Sequence, residues 1–336
     1  MSTIKDKIRA IGEGETLNAE NAEELFDAIF GGGVSEIELA SVLTAMKVRG
    51  ESPAEIAGAA RSMRKVVSRL EISANGHVDT CGTGGDHSSS FNVSSAAAIV
   101  MSAAGVPVTK HGNRSVTSRS GSADFLESLG VPIGLTGGAA RDYYAKHGFV
   151  FMFAPNYHPA MKYAAPVRKA LGMRTIFNYL GPITNPAFPG KQMIGVFSPG
   201  ILEKYASVVS ELGYERALVY SSSDGMDEVS PSAATTVCEI EGHGVSRFTI
   251  EPGEYITPGE AASLPRDRTS AENAELFIET ISSPAPTALG KFIALNTALG
   301  MRMAKKGDIG RYYAEALETV HGGAALRKVR ELRGEA

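Results

Sequence analysis

The strongest constraint on the fold is a change of hydrophobic period near residue 76. Before it, apolar residues recur at helical spacing; after it, short apolar runs of strand length alternate with helical stretches. The early helices carry their own punctuation. LNAENAEELFDAIFGGG offers Asn18 as N-cap, a stripe at Leu25, Phe26, Ile29 and Phe30, and a triple-glycine stop. VSEIELASVLTAMKVRG has the capping box Ser35-x-x-Glu38 and ends at Gly50, suited to the left-handed C′ position. ESPAEIAGAARSMRKVVSRL has Ser52 as cap and Pro53 in the first turn. Its predicted apolar face is Ile56, Met63, Val67 and Leu70.

After Asn75-Gly76 the runs HVDTC, VPVTK, FVFMFAP, QMIGVFS and RALVYSS read as buried strands. Between them lie helical stretches such as NVSSAAAIVMSAAG, opened by Asn92 and closed by Gly105, SADFLESLG and ILEKYASVVSELG. TTVCEIEG and VSRFTIE alternate like a hairpin, and the last eighty or so residues return to helix. The expected fold is α/β: a small all-helical domain plus a larger α/β domain with a central, largely parallel sheet. One stretch, His158 to Pro182, is helical with no strand, between two strand-like runs. Folding it back onto the N-terminal helices gives a discontinuous helical domain, residues 1–72 and 158–184. Residues 73–157 and 185–336 then form the α/β domain. A cleft is expected between the helical module and the sheet's loops.

The charge balance excludes one class of partner. A net charge of −4 and 21% charged residues do not suit a chain that grips a polyanion, although a local cation cluster can still hold a small anion. Cys81 and Cys238 lack metal-ligand spacing and read as two reduced thiols, Cys81 as a small buried residue. The N-terminus has no signal-peptide core, and no run approaches the ~20 apolar residues of a membrane span. A soluble, cytoplasmic protein is expected.

Four stretches carry chemistry. CGTGGDHSSSFNVSS, from Cys81, puts Gly82, Gly84 and Gly85 between a strand and a helix. Bare backbone N–H groups and hydroxyls at Ser90, Ser94 and Ser95 make a nest for phosphate oxygens. It lacks the Gly-Lys-Ser/Thr of a nucleotide P-loop and the last glycine of the dinucleotide fingerprint. TKHGNRSVTSRSGSADF supplies local cation density through Lys110, His111, Arg114 and Arg119, at a strand end where α/β folds place ligands. SSSDGMDEVSP pairs Asp227 with Glu228 on a loop, either an exposed acidic turn or oxygen ligands for Mg²⁺. NYHPAMKYAAPVRKALG holds Arg168 on an amphipathic helix, which by itself reads as solvated. No histidine has an evident catalytic partner: His147 ends a helix, and His243 and His321 lie in turn-like contexts. Together these point to a Mg²⁺-dependent enzyme handling a small, multiply phosphorylated substrate.

In combination, GTGGD, SFNVSS, KHGNRSVTSRSGSAD, HPAMKYAAPVRKALGMRTIFNYLGPITNPA and GMDE resemble the anthranilate phosphoribosyltransferases of tryptophan biosynthesis, over nearly the whole chain from about Ile4 to Leu332. The resemblance implies a homodimer built on the discontinuous helical domain. It implies transfer of phosphoribosyl from 5-phospho-α-D-ribose 1-diphosphate (PRPP) to anthranilate, with two Mg²⁺ ions per monomer. It assigns PRPP to Gly82, Gly85, Asp86, Ser90, Asn92, Val93, Ser94 and Ser95, and to Lys110, His111, Gly112, Asn113, Arg114, Ser115, Val116, Thr117, Ser118 and Ser122. Anthranilate falls to Gly82, Asn113 and Arg168, and Mg²⁺ to Ser94, Asp227 and Glu228; Lys110 would stabilise the leaving group and no acid or base is assigned.

The chain departs from the family pattern in places. Ser90 and Ser95 stand where Thr is usual, keeping the hydroxyl; Arg119 replaces a frequent Lys; His87, Met226 and Ser221-Ser222 are also unusual. Two rival readings remain. A pyrimidine-nucleoside phosphorylase would share the fold and a glycine loop, but the Asp227-Glu228 motif and the unbroken KHGNR segment oppose it. A noncatalytic nucleic-acid-binding relative is opposed by the acidic balance.

Overall fold

The computed structural model describes residues 2–72, 76–86, 89–115, 119–242 and 244–335. Four helices open the chain: α1 (Ile4–Gly12), α2 (Ala19–Phe30), α3 (Glu36–Arg49) and α4 (Pro53–Val66). Asn18 accepts from the Asn21 N–H, and Ser35 and Ser52 each close a capping box, with Glu38 and Glu55. These local signals act as the sequence predicts. Two expectations need correction. Gly50 has a positive φ of 90° but a ψ of 125°, outside the left-handed helical well, because the chain extends at once into the Ser52 cap. Val67 and Leu70 are buried but lie beyond the end of α4: Ser68 N–H donates to Tyr157 O and Leu70 N–H to Pro186 O, diverting the backbone toward the α/β part.

The sheet is built from β1 (Val78–Asp79), β2 (Val108–Gly112), β3 (Phe149–Phe153), β4 (Lys191–Gly195), β5 (Arg216–Ser222), β6 (Thr235–Glu241) and β7 (Gly244–Ile250). Their spatial order is 3-2-1-4-5-6-7. The first five are parallel; β6 and β7 add the antiparallel hairpin read from the sequence. Strand β2 starts two residues later than VPVTK suggested, because Pro107 has no N–H to give a ladder, and it runs on through Lys110 and His111. Both side chains therefore sit on a rigid strand end. Of HVDTC only two residues are strand, and Cys81, just past it, is half-buried rather than buried.

Each face of the sheet has its own core. On one, α5 (Val93–Ala103) packs with α14 (Ala288–Lys305), α15 (Ile309–His321) and α16 (Ala324–Arg333). On the other, Ile194, Val196, Ala217 and Val219 join a cluster that includes α11 (Leu202–Glu211) and the N-terminal helices. Helices α9 (Ala165–Leu171) and α10 (Phe177–Ile183) contribute Val167, Phe177 and Leu180 to that same cluster, with the Phe177 ring edge-on to Phe26 at 5.9 Å. Among the described residues no helix is long and apolar enough to cross a membrane.

Candidate functional site

The strand order places the site. From β1 the chain winds outward through β2 and β3, then returns to lay β4 on the other side of β1. The crevice beyond the carboxyl ends of β1 and β4 is thus a topological switch point, where open α/β sheets take ligands. The glycine loop leaves β1 there and is stitched to β4. Thr83 N–H donates to Gly195 O at 2.9 Å, and Phe197 N–H donates to Thr83 Oγ1 at 3.1 Å.

Gly84 and Gly85 have φ of 66° and 73°, which turns their N–H groups out of the strand direction. Gly84 N–H donates to Asp227 Oδ2 at 2.7 Å, and a Cβ on Gly82 would meet the same oxygen at 2.9 Å. The acidic turn after β5 therefore lies directly on the glycine loop. Behind it Gly195 is obligatory: a Cβ there would stand 1.5 Å from Asp227 O. The unusual serine pair also acquires a role. Ser222 Oγ donates to Glu228 O at 2.6 Å and Ser221 Oγ to Val196 O at 3.0 Å, propping the turn against β4.

Carboxylate oxygens of Asp86, Asp227 and Glu228 lie within 4.8 Å of one another, all half-buried. Desolvation, reinforced by Asp86, pushes Asp227 up to about 7. Glu228 is raised further, by burial and then by its two acidic neighbours, although Ser90 Oγ donates to it at 2.8 Å. Three like charges so placed need protons or a cation between them. An all-oxygen donor set beside a phosphate-type nest suits a hard divalent cation such as Mg²⁺. Asp86, assigned by resemblance to PRPP, thus stands with the pair assigned to metal. The Ser94 carbonyl accepts from Thr80 Oγ1 at 3.2 Å.

Helix α5 begins at this loop. Asn92 occupies its N-cap position but makes no capping bond. Its Oδ1 instead accepts from Ser120 Oγ at 2.6 Å and Asn273 Nδ2 at 2.9 Å, so it ties loops together and leaves the helix end uncapped by a side chain. Ser95 Oγ is buried without a partner among the described residues.

Lys110 is 2% exposed and donates from Nζ to Thr80 Oγ1 at 3.0 Å. Burial lowers its proton affinity, and Asp79 opposes the shift. Asp79 is wholly buried and accepts from His111 N–H, Asn185 Nδ2 and Gln192 Nε2, which fixes the ends of β1, β2 and β4 relative to one another. The cation cluster is less available than the sequence suggests. Arg114 pairs with Asp124 and Glu127, and Arg119 Nη1 donates to Asp267 O at 3.2 Å. Asp124 also accepts from Ser115 N–H, Asn113 Oδ1 accepts from Arg114 N–H, and Ser122 Oγ donates to Asn113 O. A Cβ on Gly112 would strike that Ser122 Oγ at 2.3 Å. His87, Val116, Thr117, Ser118 and His243 lie outside the described residues.

A histidine pair escaped the sequence reading. His111 Nδ1 lies 3.0 Å from Gly181 O, which can only accept, so Nδ1 carries the proton. His111 Nε2 is then an acceptor for His158 Nε2–H at 3.2 Å, which leaves His158 Nδ1 a buried lone pair with no partner among the described residues. Burial lowers both rings, His111 to about 4 and His158 to about 3, so both are neutral at pH 7. Only folding brings positions 111 and 158 together. Arg168 sits on α9 with its guanidinium carbon 5.2 Å from the Phe177 ring centre, and burial lowers its proton affinity.

Comparison with known proteins agrees with this geometry. A family model described as a glycosyl transferase family helical bundle domain matches residues 5–66, and one described as a glycosyl transferase family a/b domain matches residues 74–326. Anthranilate phosphoribosyltransferase of Pelotomaculum thermopropionicum is 40% identical over 333 residues, 98% of this chain and 95% of that protein. The crystal structure of anthranilate phosphoribosyltransferase from Thermus thermophilus superposes with a TM-score of 0.90 at 36% identity, covering 98% of this chain and 99% of that one. The Saccharomyces cerevisiae enzyme in complex with PRPP and Mg gives 0.88 at 25% identity, covering 99% and 97%. A matched helical bundle, a matched a/b domain and near-complete overlap with these relatives place the chain in the anthranilate phosphoribosyltransferase family.

Proposed function

We propose that this chain catalyses Mg²⁺-dependent transfer of phosphoribosyl from PRPP to the amine of anthranilate, releasing diphosphate, a step of tryptophan biosynthesis. The observation that carries the reading is the 2.7 Å bond from Gly84 N–H to Asp227, which fuses a phosphate nest to a cation-type carboxylate trio. Asp86, Asp227 and Glu228, with Ser94 as a further candidate, would hold Mg²⁺, which would supply positive charge to offset that of the diphosphate.

The C1′–O bond breaks with its electron pair passing to diphosphate, and the amine lone pair forms C1′–N. The nitrogen then loses one proton to solvent. Gly82, Gly85, Ser90 and the Asn92–Ser95 run hold the diphosphate through N–H and hydroxyl donors, with the open end of α5 behind them. Lys110 stabilises the leaving group, and the segment from His111 through Ser118, with Ser122, completes the PRPP site. Gly82, Asn113 and Arg168 receive anthranilate, the guanidinium matching its carboxylate. An aromatic amine is already neutral at pH 7, so no strong base is needed. His158 donates to His111 through Nε2–H and keeps Nδ1 as an acceptor. Catalysis rests on positioning and charge stabilisation.

We further propose the division into residues 1–72 with 158–184 and residues 73–157 with 185–336, supported by the shared core of α2, α9 and α10. A homodimer through the helical part is supported by Ile37 and Val48, which are 85% and 83% exposed and lie on one face of α3 about three turns apart. A cytoplasmic location and two ions per monomer complete the reading. The test is product identity. Anthranilate, PRPP and Mg²⁺ should give a compound with the mass of N-(5-phosphoribosyl)anthranilate and an equivalent of diphosphate. Phosphate-dependent cleavage of thymidine in place of that product would favour the nucleoside phosphorylase.

A further inference from the structure

A second arginine of the helical segment reaches the glycine loop. Arg174 lies between α9 and α10, half-buried, its guanidinium carbon 3.9 Å from the centre of the Phe197 ring. Its Nη2 is 3.2 Å from where a Cβ would stand on Gly85, so the guanidinium lies close against the loop backbone at that glycine. Phe197 is no loose platform: its N–H donates to Thr83 Oγ1 within the same loop.

The arginines of the Thr109–Phe125 stretch have protein acceptors. Arg174 makes no hydrogen bond and no ion pair among the described residues, although its charge is felt by Asp227. A guanidinium stacked on a ring keeps its donors at the edge of its plane, free to fork onto a phosphate. The guanidinium lies beside Gly85, a residue of the phosphate nest itself. The carboxylate trio contributes the wrong sign for stable occupation of that nest by an anion, so a cation beside the loop has a clear electrostatic use.

We propose that Arg174 is a leaving-group residue: its guanidinium donates to the diphosphate seated on the Gly82–Asp86 loop, and Phe197 holds the plane of the fork. The inference rests on the phosphoribosyl-transfer reading and adds a contact to it. Negative charge that collects on the departing diphosphate is met from the helical segment as well as from the sheet, with no proton transferred. Diphosphate then bridges the two parts of the fold.

Calorimetric titration of inorganic diphosphate with Mg²⁺ into wild type, Arg174→Ala and Arg174→Lys tests this, alongside steady-state kinetics and thermal melts. Loss of a charge-assisted pair predicts about ten- to hundredfold weaker diphosphate binding and a similar rise in the PRPP KM for Arg174→Ala. The anthranilate KM should stay within about twofold, since the lost contact is to diphosphate. Lysine should recover only part, because a point charge cannot reproduce the fork. If Arg174→Ala melts early, Arg174→Gln, which keeps the stem against Phe197, carries the same comparison. Wild-type diphosphate affinity in a folded variant overturns the proposal, as does a loss confined to anthranilate. Should the wild type itself fail to bind diphosphate, the transfer reading falls and this contact with it.

Discussion

Replacing Gly195 by alanine tests how far the acidic turn depends on a residue that carries no chemistry. A Cβ at that position would lie 1.5 Å from Asp227 O, whereas contacts under 3.0 Å are essentially never found, so the turn must retreat by about 1.5 Å. Gly195 ends β4, which is paired to β5 along its whole length, so the strand itself has little room to give. The displacement falls on Asp227 and breaks the register of its carboxylate with Gly84 N–H, a 2.7 Å bond. A misplacement of about 1 Å at a positioning group can cost on the order of 10²-fold in rate. Overpacking costs about 1–3 kcal/mol of stability, which a domain of this size can absorb. The assay is kcat against Mg²⁺ concentration for Gly195→Ala, with Gly12→Ala as control, since a Cβ on Gly12 meets nothing within 4 Å. The expected result is a folded protein with kcat down about a hundredfold and a Mg²⁺ requirement moved to higher concentration. Wild-type kcat at wild-type Mg²⁺ would refute the claim that β4 positions the acidic turn.

Other outcomes follow from the same geometry. Asp227→Asn combined with Glu228→Gln should abolish most turnover while raising the thermal midpoint measured without metal, because it removes like charges that burial penalises; unchanged activity would detach these residues from the cation site. Arg168→Ala should raise the KM for anthranilate far more than that for PRPP, and an equal rise in both would contradict its role. The histidine pair gives stability a pH dependence. Folded values of about 4 and 3 lie below the unfolded value of 6.5, so the unfolded chain takes up protons first. Stability at this pair is therefore fully present above about pH 6.5 and is lost as pH falls toward 4 and 3. Denaturant midpoints between pH 5 and 8 should fall toward acid in wild type and more gently in His158→Gln; parallel profiles would remove the pair as the cause.

What the sequence discloses depends on how local the physics is. Asn18, Ser35 and Ser52 cap helices whose N–H groups lie three residues away, so their roles are visible in a short window. The glycine loop and Asp227-Glu228 are equally legible as residue types, since phosphate nests and oxygen ligands have compositional signatures. Asn92 shows the limit: its type and position predict a cap, yet Ser120 and Asn273, the latter 181 residues away, claim its side chain. Arg114 reads as a free cation because Asp124 and Glu127 fold onto it only once α6 (Ser122–Ser128) forms. Asp79, Asn185 and Gln192 are ordinary polar residues in the chain and become one buried network only at the junction of three strands. Arg174 and His158 come from the helical segment, and their meaning depends on partners at Phe197 and His111 that no local pattern announces. Gly195 is silent for the same reason, since its importance lies in what passes behind it.

The central claim is that the carboxylate trio on the glycine loop makes this a metal-dependent phosphoribosyl transfer to anthranilate. Loss of anthranilate fluorescence, followed with protein, PRPP and Mg²⁺ together and with each omitted in turn, tests it most directly. The predicted result is a decay that needs all three, stops on addition of chelator and resumes when Mg²⁺ is restored in excess. Fluorescence that stays constant with folded protein and every component present, or a decay indifferent to chelator, would contradict the account.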